Sequence, residues 1–236
     1  MTSTLSTPVT RLLRFDAVQR VVHWLNALMF GVLMFTGIPL YFGSFFGVVF
    51  PRHVIQEIHL WTGIFLPVPI LISLLGPWGR RMRQDFHRFS YWSRAELRWL
   101  LTMGRDRLDL DKFNPGQKAN GLFVGAGIII MWATGYVLQW FRFFPISWRQ
   151  GATLTHDLFA FAFFAVVAGH IAMALSHPGA MGSMLKGTVS QEWAEKHAKE
   201  WLVEESTKPQ DVTLCCYRCT MTAARTTRTW WPHYLR

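Results

Sequence analysis

Four long stretches without aspartate, glutamate, lysine or arginine limit what this chain can fold into more than any other feature. They are residues 21–41, 58–78, 119–141 and 158–175. A helix needs about 20 apolar residues to cross about 30 Å of hydrocarbon, and each stretch meets or nearly meets that length. The sequence therefore predicts an all-α integral membrane protein, folded as a four-transmembrane-helix bundle. We expect its helices over about 20–41, 56–78, 118–141 and 152–176.

The positive charges divide unequally between the two sides of such a bundle. Of the 24 lysines and arginines, 21 lie before the first helix, between the second and third, or after the fourth. An even number of helices places both termini on one side, and the positive-inside rule makes that side cytoplasmic. The net charge of +10 is then explained by orientation and by anionic lipid headgroups, so membrane lipids are expected as partners and nucleic acid is not. A cleaved signal peptide is the alternative for the first stretch, but its apolar run is longer than the usual run of about 7 to 15 residues.

The chain divides into a membrane domain, residues 1–205, and a tail, residues 206–236, that is predicted to be disordered. From Ser206 the sequence becomes Thr- and Arg-rich without periodicity, which is typical of segments that cannot bury a core. Between the fourth membrane helix and this tail, residues 184–205 are predicted to form one polar helix. The tail contains three cysteines, interpreted as free thiols on the reducing side of the membrane. They are Cys215, Cys216 and Cys219.

Two local signals concern the ends and bends of the helices. Pro67 and Pro69 lie inside the second apolar stretch and predict a bend, because proline lacks a backbone N–H and clashes with the preceding turn. Asp157 directly precedes the fourth stretch. An acidic residue is favoured at a helix N-terminus, so we interpret Asp157 as part of the start of the fourth helix.

Four of the nine histidines lie within or at the edges of the predicted membrane helices, where an ionisable side chain is costly and is usually functional. With the orientation above, His23 and His170 (the inner pair) lie near the cytoplasmic face, and His59 and His156 (the outer pair) near the opposite face. His156 and His170 are 14 residues apart, which is about 21 Å of helix and within about 40° of four whole turns. The histidines therefore form two layers of two.

Two histidines at one depth on facing helices are what bis-imidazole ligation of a b-type haem requires. The sequence contains no Cys-x-x-Cys-His motif, which excludes the usual covalent c-type attachment. We therefore predict two b-type haems, one on each pair. Three glycines in the same helices are candidates to admit the flat macrocycle, although ordinary helix packing explains them equally well. They are Gly31, Gly63 and Gly169.

Other uses of the membrane histidines stay open at this point. A proton relay or transporter places histidines in membrane helices as well. A copper or zinc site is a further alternative, although ligands about 21 Å apart cannot share one metal ion. The rival from a different functional class is therefore a haem-free membrane anchor or proton-conducting module.

Several stretches of the chain follow a known pattern. They are RFDAVQRVVHWLNALMFGVLMFTG, IHLWTG, KFNPGQKANG with a later TG, HDLFA, and GHIAMALSHPGAMGSMLKGTVSQEWAEKHAKEW, which together cover roughly residues 11–205. These stretches resemble the cytochrome b (gamma) subunits of membrane-bound formate dehydrogenases, a di-haem family shared with the b subunits of hydrogenases and thiosulfate reductase. KFNPGQK and MLKGTVSQEWAEKHAKEW favour formate dehydrogenase within that group.

The resemblance implies a function, partners and a location. It implies that an iron–sulfur (beta) subunit delivers electrons to the outer haem, and that the chain passes them through the inner haem to a quinone, menaquinone or ubiquinone. Formate oxidation itself would belong to a molybdenum or tungsten catalytic (alpha) subunit. The location implied is the bacterial inner membrane, with several membrane passes. A cytochrome b of another quinone-linked oxidoreductase, of the hydrogenase or thiosulfate reductase type, is the nearest alternative.

The resemblance also implies individual site residues. It assigns the inner pair to one haem and the outer pair to the other, in agreement with the layers described above. It places the quinone near the inner haem beside Asn114, Gly116 and Gln117, although Asn-Pro-Gly is in the first place a turn sequence. In one departure from the pattern, Ala172 stands where relatives usually have a tyrosine.

Overall fold

The computed structural model describes residues 11–43, 51–105 and 108–207. Of these residues, those up to Leu202 belong to one compact unit and those from Val203 to a second. The predicted tail beyond Thr207, with its three cysteines, lies outside the described residues. The elements in chain order are β1 (Arg11–Leu13), α1 (Ala17–Tyr41), α2 (Arg52–Phe65), α3 (Val68–Leu75), α4 (Arg80–Ser90), α5 (Arg94–Leu101), α6 (Pro115–Gln139), α7 (Ile146–Ser176), α8 (Pro178–Lys186), β2 (Thr188–Ser190), α9 (Gln191–His197) and α10 (Lys199–Thr207). Two 3₁₀ turns, Pro77–Gly79 and Phe141–Phe143, precede α4 and α7.

Four segments of the described chain are long and apolar enough to cross a membrane, which confirms the predicted four-helix membrane fold. They are Ala17–Tyr41, Arg52–Leu75, Pro115–Gln139 and Ile146–Ser176. The first two pack on each other as an antiparallel hairpin, and so do α6 and α7. The hairpins meet through contacts of α2 with α6 and of α1 with α7. Each helix of one hairpin therefore contacts a helix of the other, so side chains of the two hairpins can share a ligand.

Two of the described membrane helices, α1 and α6, start at side-chain caps and not where the charges end. The carboxylate of Asp16 accepts from the backbone N–H of Gln19 and so caps α1. Asn114 caps α6 in the same way, ahead of Pro115. With 31 residues, α7 is about 46 Å long, and it exceeds the hydrocarbon layer because helices continue into the headgroup region. It begins at Ile146, so the interpretation of Asp157 as a helix start is wrong.

The second membrane span is broken at the predicted prolines. Helix α2 ends at Phe65 and α3 begins at Val68. Pro67 sits between them because it has no N–H to donate to the preceding turn. Pro69 falls in the first turn of α3, where a missing N–H costs nothing. The bend expected from the sequence is therefore an interruption of the helix.

The prediction of a single polar helix over 184–205 is wrong, because the backbone reverses at Gly187. This residue ends α8 with φ +85°, and its carbonyl oxygen accepts the N–H groups of Arg14 and Phe15 at 2.8 and 3.0 Å. Strand β2 follows and pairs antiparallel with β1, with Leu12 opposite Val189. Within Met1–Leu202, Val189 packs in an apolar cluster with Trp201. The N-terminal segment is thus tied to the chain that follows the last membrane helix.

Five polar side chains, each at most 5 % exposed, form a buried cluster at the end of the bundle where α1 begins (the polar cluster). They are Arg14, Gln19, Asp85, Lys112 and Ser183. The ammonium of Lys112 donates to both carboxylate oxygens of Asp85 at 2.8 and 2.6 Å, and the Gln19 amide donates to the same carboxylate. Arg14 donates to the carbonyl of Lys112 at 2.9 Å and to the Ser183 hydroxyl at 3.3 Å.

Burial sets the protonation behaviour of the polar cluster. It raises the pKa of Asp85 and lowers the pKa of Lys112, because both charged forms lose water. It lowers the pKa of Arg14 to about 10, so the guanidinium remains charged at neutral pH. The ion pair and its hydrogen bonds offset the cost of taking these charges out of water. The polar cluster therefore joins α1, α4, α8 and the segment before α6 as one charged unit.

Candidate functional site

The structure brings the four membrane histidines together in two pairs. The imidazole ring centres of His23 on α1 and His170 on α7 lie 6.1 Å apart. Those of His59 on α2 and His156 on α7 lie 6.4 Å apart. Helix α7 therefore contributes one imidazole to each pair, and each hairpin contributes one histidine to each layer.

These separations fit a haem iron between the rings of each pair. Metal–imidazole nitrogen bonds are about 2.0–2.1 Å long, so two imidazoles on opposite sides of one iron have ring centres about 6.3 Å apart. Both observed distances, 6.1 and 6.4 Å, lie close to that value. Rings that merely pack on each other take centre separations anywhere within about 4.5–7 Å, so packing alone would not select nearly the same value in both pairs. The residues present therefore fit two bis-imidazole haem sites.

A haem site is favoured over a protein-only metal site by the number of ligands available. Zinc in proteins takes three or four side-chain ligands. Across residues 11–43, 51–105 and 108–207, no group of three or more His, Cys, Asp or Glu side chains is placed to hold a metal ion. A porphyrin supplies four nitrogens to its iron. That iron would need only two more ligands from the protein, and each pair offers two histidines.

The outer pair is held by hydrogen bonds to threonine. The Oγ1 atoms of Thr36 and Thr134 each lie 2.9 Å from Nδ1 of an outer-pair histidine. These bonds leave the Nε2 atoms of His59 and His156 for a metal. Nothing in the sequence reasoning gave either threonine a role, although the repeated Thr-Gly step on the first and third membrane helices was the signal that points to them.

An aromatic layer lies between the two histidine layers. Phe163 is seven residues from each α7 histidine, so it occupies the same helix face midway between them, and it is 3 % exposed. Its ring centre lies 5.1 Å from that of Phe30 and 5.3 Å from that of Phe123. A Cβ added to Gly127 would stand 2.4 Å from the Phe163 ring. The spacing of seven was the sequence signal for this residue, and sequence reasoning missed it.

The three candidate glycines differ in their surroundings. A Cβ built on Gly31 or on Gly169 meets no atom within 4 Å, so both face open space. A Cβ on Gly63 would lie 3.7 Å from Leu33 Cδ2, an ordinary packing contact. The structure thus keeps room beside Gly31 and Gly169, whereas Gly63 is explained by packing between the first two membrane helices.

Asn114, Gly116 and Gln117 form the first turn of α6, where a capping box uses the side-chain oxygens. Asn114 Oδ1 accepts from the backbone N–H of Gln117 at 2.8 Å, and Gln117 Oε1 accepts from that of Asn114 at 3.1 Å. These capping bonds do not use the two amide NH₂ groups, which are hydrogen-bond donors. Lys112, in the polar cluster, lies two residues before this turn and anchors it to α4.

Comparison with known proteins gives a consistent result. The family described as prokaryotic cytochrome b561 matches residues 14–187. The formate dehydrogenase cytochrome b556 subunit of Haemophilus influenzae is 27% identical over 204 residues, covering 83% of this chain and 84% of that protein. The cytochrome b556(fdo) subunit of formate dehydrogenase in Escherichia coli K12 is 22% identical over 202 residues, covering 82% and 92%. The nitrate-inducible cytochrome b556(Fdn) subunit of the same organism is 22% identical over 209 residues, covering 82% and 91%.

Proposed function

Because this chain belongs to the prokaryotic cytochrome b561 family, we propose that it is the membrane-embedded electron-transfer subunit of a formate dehydrogenase. The similarity to three formate dehydrogenase cytochrome b556 subunits over most of their length supports that complex over a hydrogenase or thiosulfate reductase. The observation that carries electron transfer is the pair of imidazole separations, 6.1 and 6.4 Å, in two layers of one bundle.

In this proposal the inner and outer pairs are the axial ligands of two b-type haems. Haem iron cycles between the ferrous and ferric states and so carries one electron at a time. The chain's own residues bind and orient it: His23 and His170 in one layer, and His59 and His156 in the other. Phe163 and its aromatic neighbours fill the space between the layers and exclude water from it.

We place quinone reduction at the first turn of α6. Asn114 and Gln117 present amide donors there, and Gly116 leaves the turn without a side chain of its own. Donors of this kind match the carbonyl oxygens of menaquinone or ubiquinone. The polar cluster holds this turn against α4 and α1, so its orientation is fixed by buried charge.

Replacing Gln117 with Glu is expected to raise the KM for quinone about tenfold and leave kcat near the wild-type value. Glutamate keeps the oxygen that accepts from the Asn114 N–H but lacks the NH₂ donor, and one hydrogen bond contributes about 0.5–1.5 kcal/mol. Asn114→Asp likewise keeps the capping oxygen and removes the NH₂ donor. Quinone titrations of the formate-reduced complex measure KM and kcat of both variants. An unchanged KM in both variants, with two haems per chain retained, would remove these side chains from the quinone site.

The partners proposed are an iron–sulfur subunit and a molybdenum or tungsten subunit that oxidises formate. This chain would carry the electrons through the membrane, which we propose is the inner membrane of a bacterium. Purification in mild detergent with identification of the associated chains tests the proposal, together with a formate-to-quinone assay. The expected result is co-purification with both partners and formate-dependent quinone reduction. A chain that purifies without haem, or a haem-containing complex that is reduced by hydrogen and not by formate, would contradict it.

Both ends of the membrane domain are proposed to face the cytoplasm. A phosphatase that is active only outside the cytoplasm is expected to be inactive when fused after Thr207 and active when fused after Phe144, which precedes α7. A fusion after Leu101, between the second and third spans, is the matched control and should be inactive. Activity at Thr207 with inactivity at Phe144 would reverse the orientation and with it the depth of each histidine pair.

A further inference from the structure

Two threonine–glycine steps on different helices hold the outer pair in the same way. Thr36 Oγ1 on α1 lies 2.9 Å from Nδ1 of His59, and Thr134 Oγ1 on α6 lies 2.9 Å from Nδ1 of His156. A glycine follows each threonine. A Cβ on Gly37 would stand 3.7 Å from Cε1 of His59, and one on Gly135 3.6 Å from Cε1 of His156. The same local unit thus meets each imidazole of this pair from a neighbouring helix.

The direction of these hydrogen bonds follows from what else the hydroxyls contact. Thr36 Oγ1 donates to the Val32 carbonyl at 2.7 Å, and Thr134 Oγ1 donates to the Ile130 carbonyl at 2.8 Å. A hydroxyl has one hydrogen. With that hydrogen donated to the helix backbone, we infer that each imidazole donates from Nδ1–H to the threonine oxygen. This is the tautomer that leaves the Nε2 lone pair for a metal.

The inner pair has no such support in the described part of the chain. Neither His23 nor His170 makes a side-chain hydrogen bond to a residue there, and His23 instead contacts the Trp24 ring edge-on, with ring centres 5.2 Å apart. The two layers therefore differ in how their ligands are oriented, although their ring separations are nearly equal.

We propose that Thr36 and Thr134 are positioning residues of the outer haem, which set the rotation, tautomer and donor strength of its two imidazole ligands. This inference rests on the proposed function, since it assigns a haem to the outer pair. A hydrogen bond from Nδ1–H makes an imidazole a stronger donor to iron, and a stronger donor favours the ferric state. The two hydroxyls thus hold the midpoint potential of the outer haem below the value that unsupported imidazoles would give.

Thr36→Val and Thr134→Val test this, because valine keeps the branched shape and removes the hydroxyl. Redox titration followed by the haem spectrum is expected to show an upward shift in the midpoint potential of one haem, the same haem in both variants, with the other unchanged. Retention of that haem during purification should weaken, because loss of an outer-shell partner typically lowers affinity about 10–100-fold. Thr36→Ser and Thr134→Ser keep the hydroxyl, so the midpoint potential and the haem retention should stay at wild-type values. Thr36→Ala removes the hydroxyl without putting a methyl group in its place, and it should show the same shift as Thr36→Val.

Thr153→Val is the matched control. Thr153 Oγ1 also donates to the carbonyl four residues earlier, at 2.9 Å, but it makes no hydrogen bond to a histidine among the described residues, so both potentials should stay at wild-type values. Wild-type potentials in every valine and alanine variant would overturn the positioning role while leaving the two haems in place. A shift that serine fails to reverse would assign the effect to shape and overturn it as well. A wild-type chain without haem on the outer pair would instead contradict the proposed function.

Discussion

A His156→Ala chain is expected to retain one haem in place of two and to lose formate-to-quinone turnover. In the proposed assignment His156 would supply one of the two side-chain ligands of the outer haem, so its loss should remove that haem and leave the inner pair untouched. Turnover should fall by at least about 100-fold. Loss of a residue that only hydrogen-bonds to a metal ligand typically lowers metal affinity or activity about 10–100-fold, and loss of the ligand itself should cost more. Haem content per chain and reduced-minus-oxidised spectra measure the first effect, and a quinone assay measures the second.

The pairing gives this prediction its controls. His59→Ala should remove the same haem as His156→Ala, and the double variant should lose no more than either single one, because the two ligands act as a unit. His170→Ala and His23→Ala should both remove the other haem. His53→Ala changes an exposed histidine on the same helix as His59 and should leave two haems. Two intact haems in His156→Ala would contradict the ligand assignment.

An Asp85→Asn chain is expected to lose about 3–5 kcal/mol of stability, because the buried ammonium of Lys112 is left without its counter-charge. Only 5 % of each of these two side chains is exposed, so water cannot replace the lost partner. The added substitution Lys112→Met removes the stranded charge and should restore more than half of the loss. The stability of the wild-type chain, of Asp85→Asn and of the double variant is measured by unfolding each detergent-solubilised protein with increasing denaturing detergent.

An exposed ion pair provides the comparison. Lys199 and Asp109 are 3.0 Å apart with 60% and 61% of their side chains exposed, and pairs of this kind contribute about 0–1 kcal/mol. Asp109→Asn should therefore change stability by less than about 1 kcal/mol. If Asp85→Asn is no less stable than Asp109→Asn, the polar cluster does not hold the end of the bundle together.

The four membrane spans could be predicted from the sequence because hydrocarbon selects strongly against charge, and the loss of charge marks where a helix enters the membrane. The ends of the helices could not be placed in that way. Arg149 lies inside α7 because helix geometry continues past the hydrocarbon. The break near Gly187 depends on a left-handed backbone and on carbonyl contacts with Arg14 and Phe15, which no local pattern states.

The histidine layers followed from helix periodicity and topology, which fix depth and face. The partners of the histidines depend instead on how far each helix rotates against its neighbour. Thr36 and Thr134 were visible as repeated Thr-Gly steps, yet only packed helices show that their hydroxyls meet His59 and His156. In the sequence, the segment that contains Asn114 and Gln117 predicts a turn. The capping box shows that the turn uses their side-chain oxygens and not their NH₂ groups.

The most direct measurement is the visible spectrum of the purified complex, with haem quantified per chain, after addition of formate and then of quinone. Two b-type haems per chain are expected, with low-spin bis-imidazole signatures. Formate should reduce both, and quinone should reoxidise both. A chain with fewer than two haems would contradict the two-layer assignment. Haems that a chemical reductant reduces and formate does not would contradict the assignment to a formate dehydrogenase.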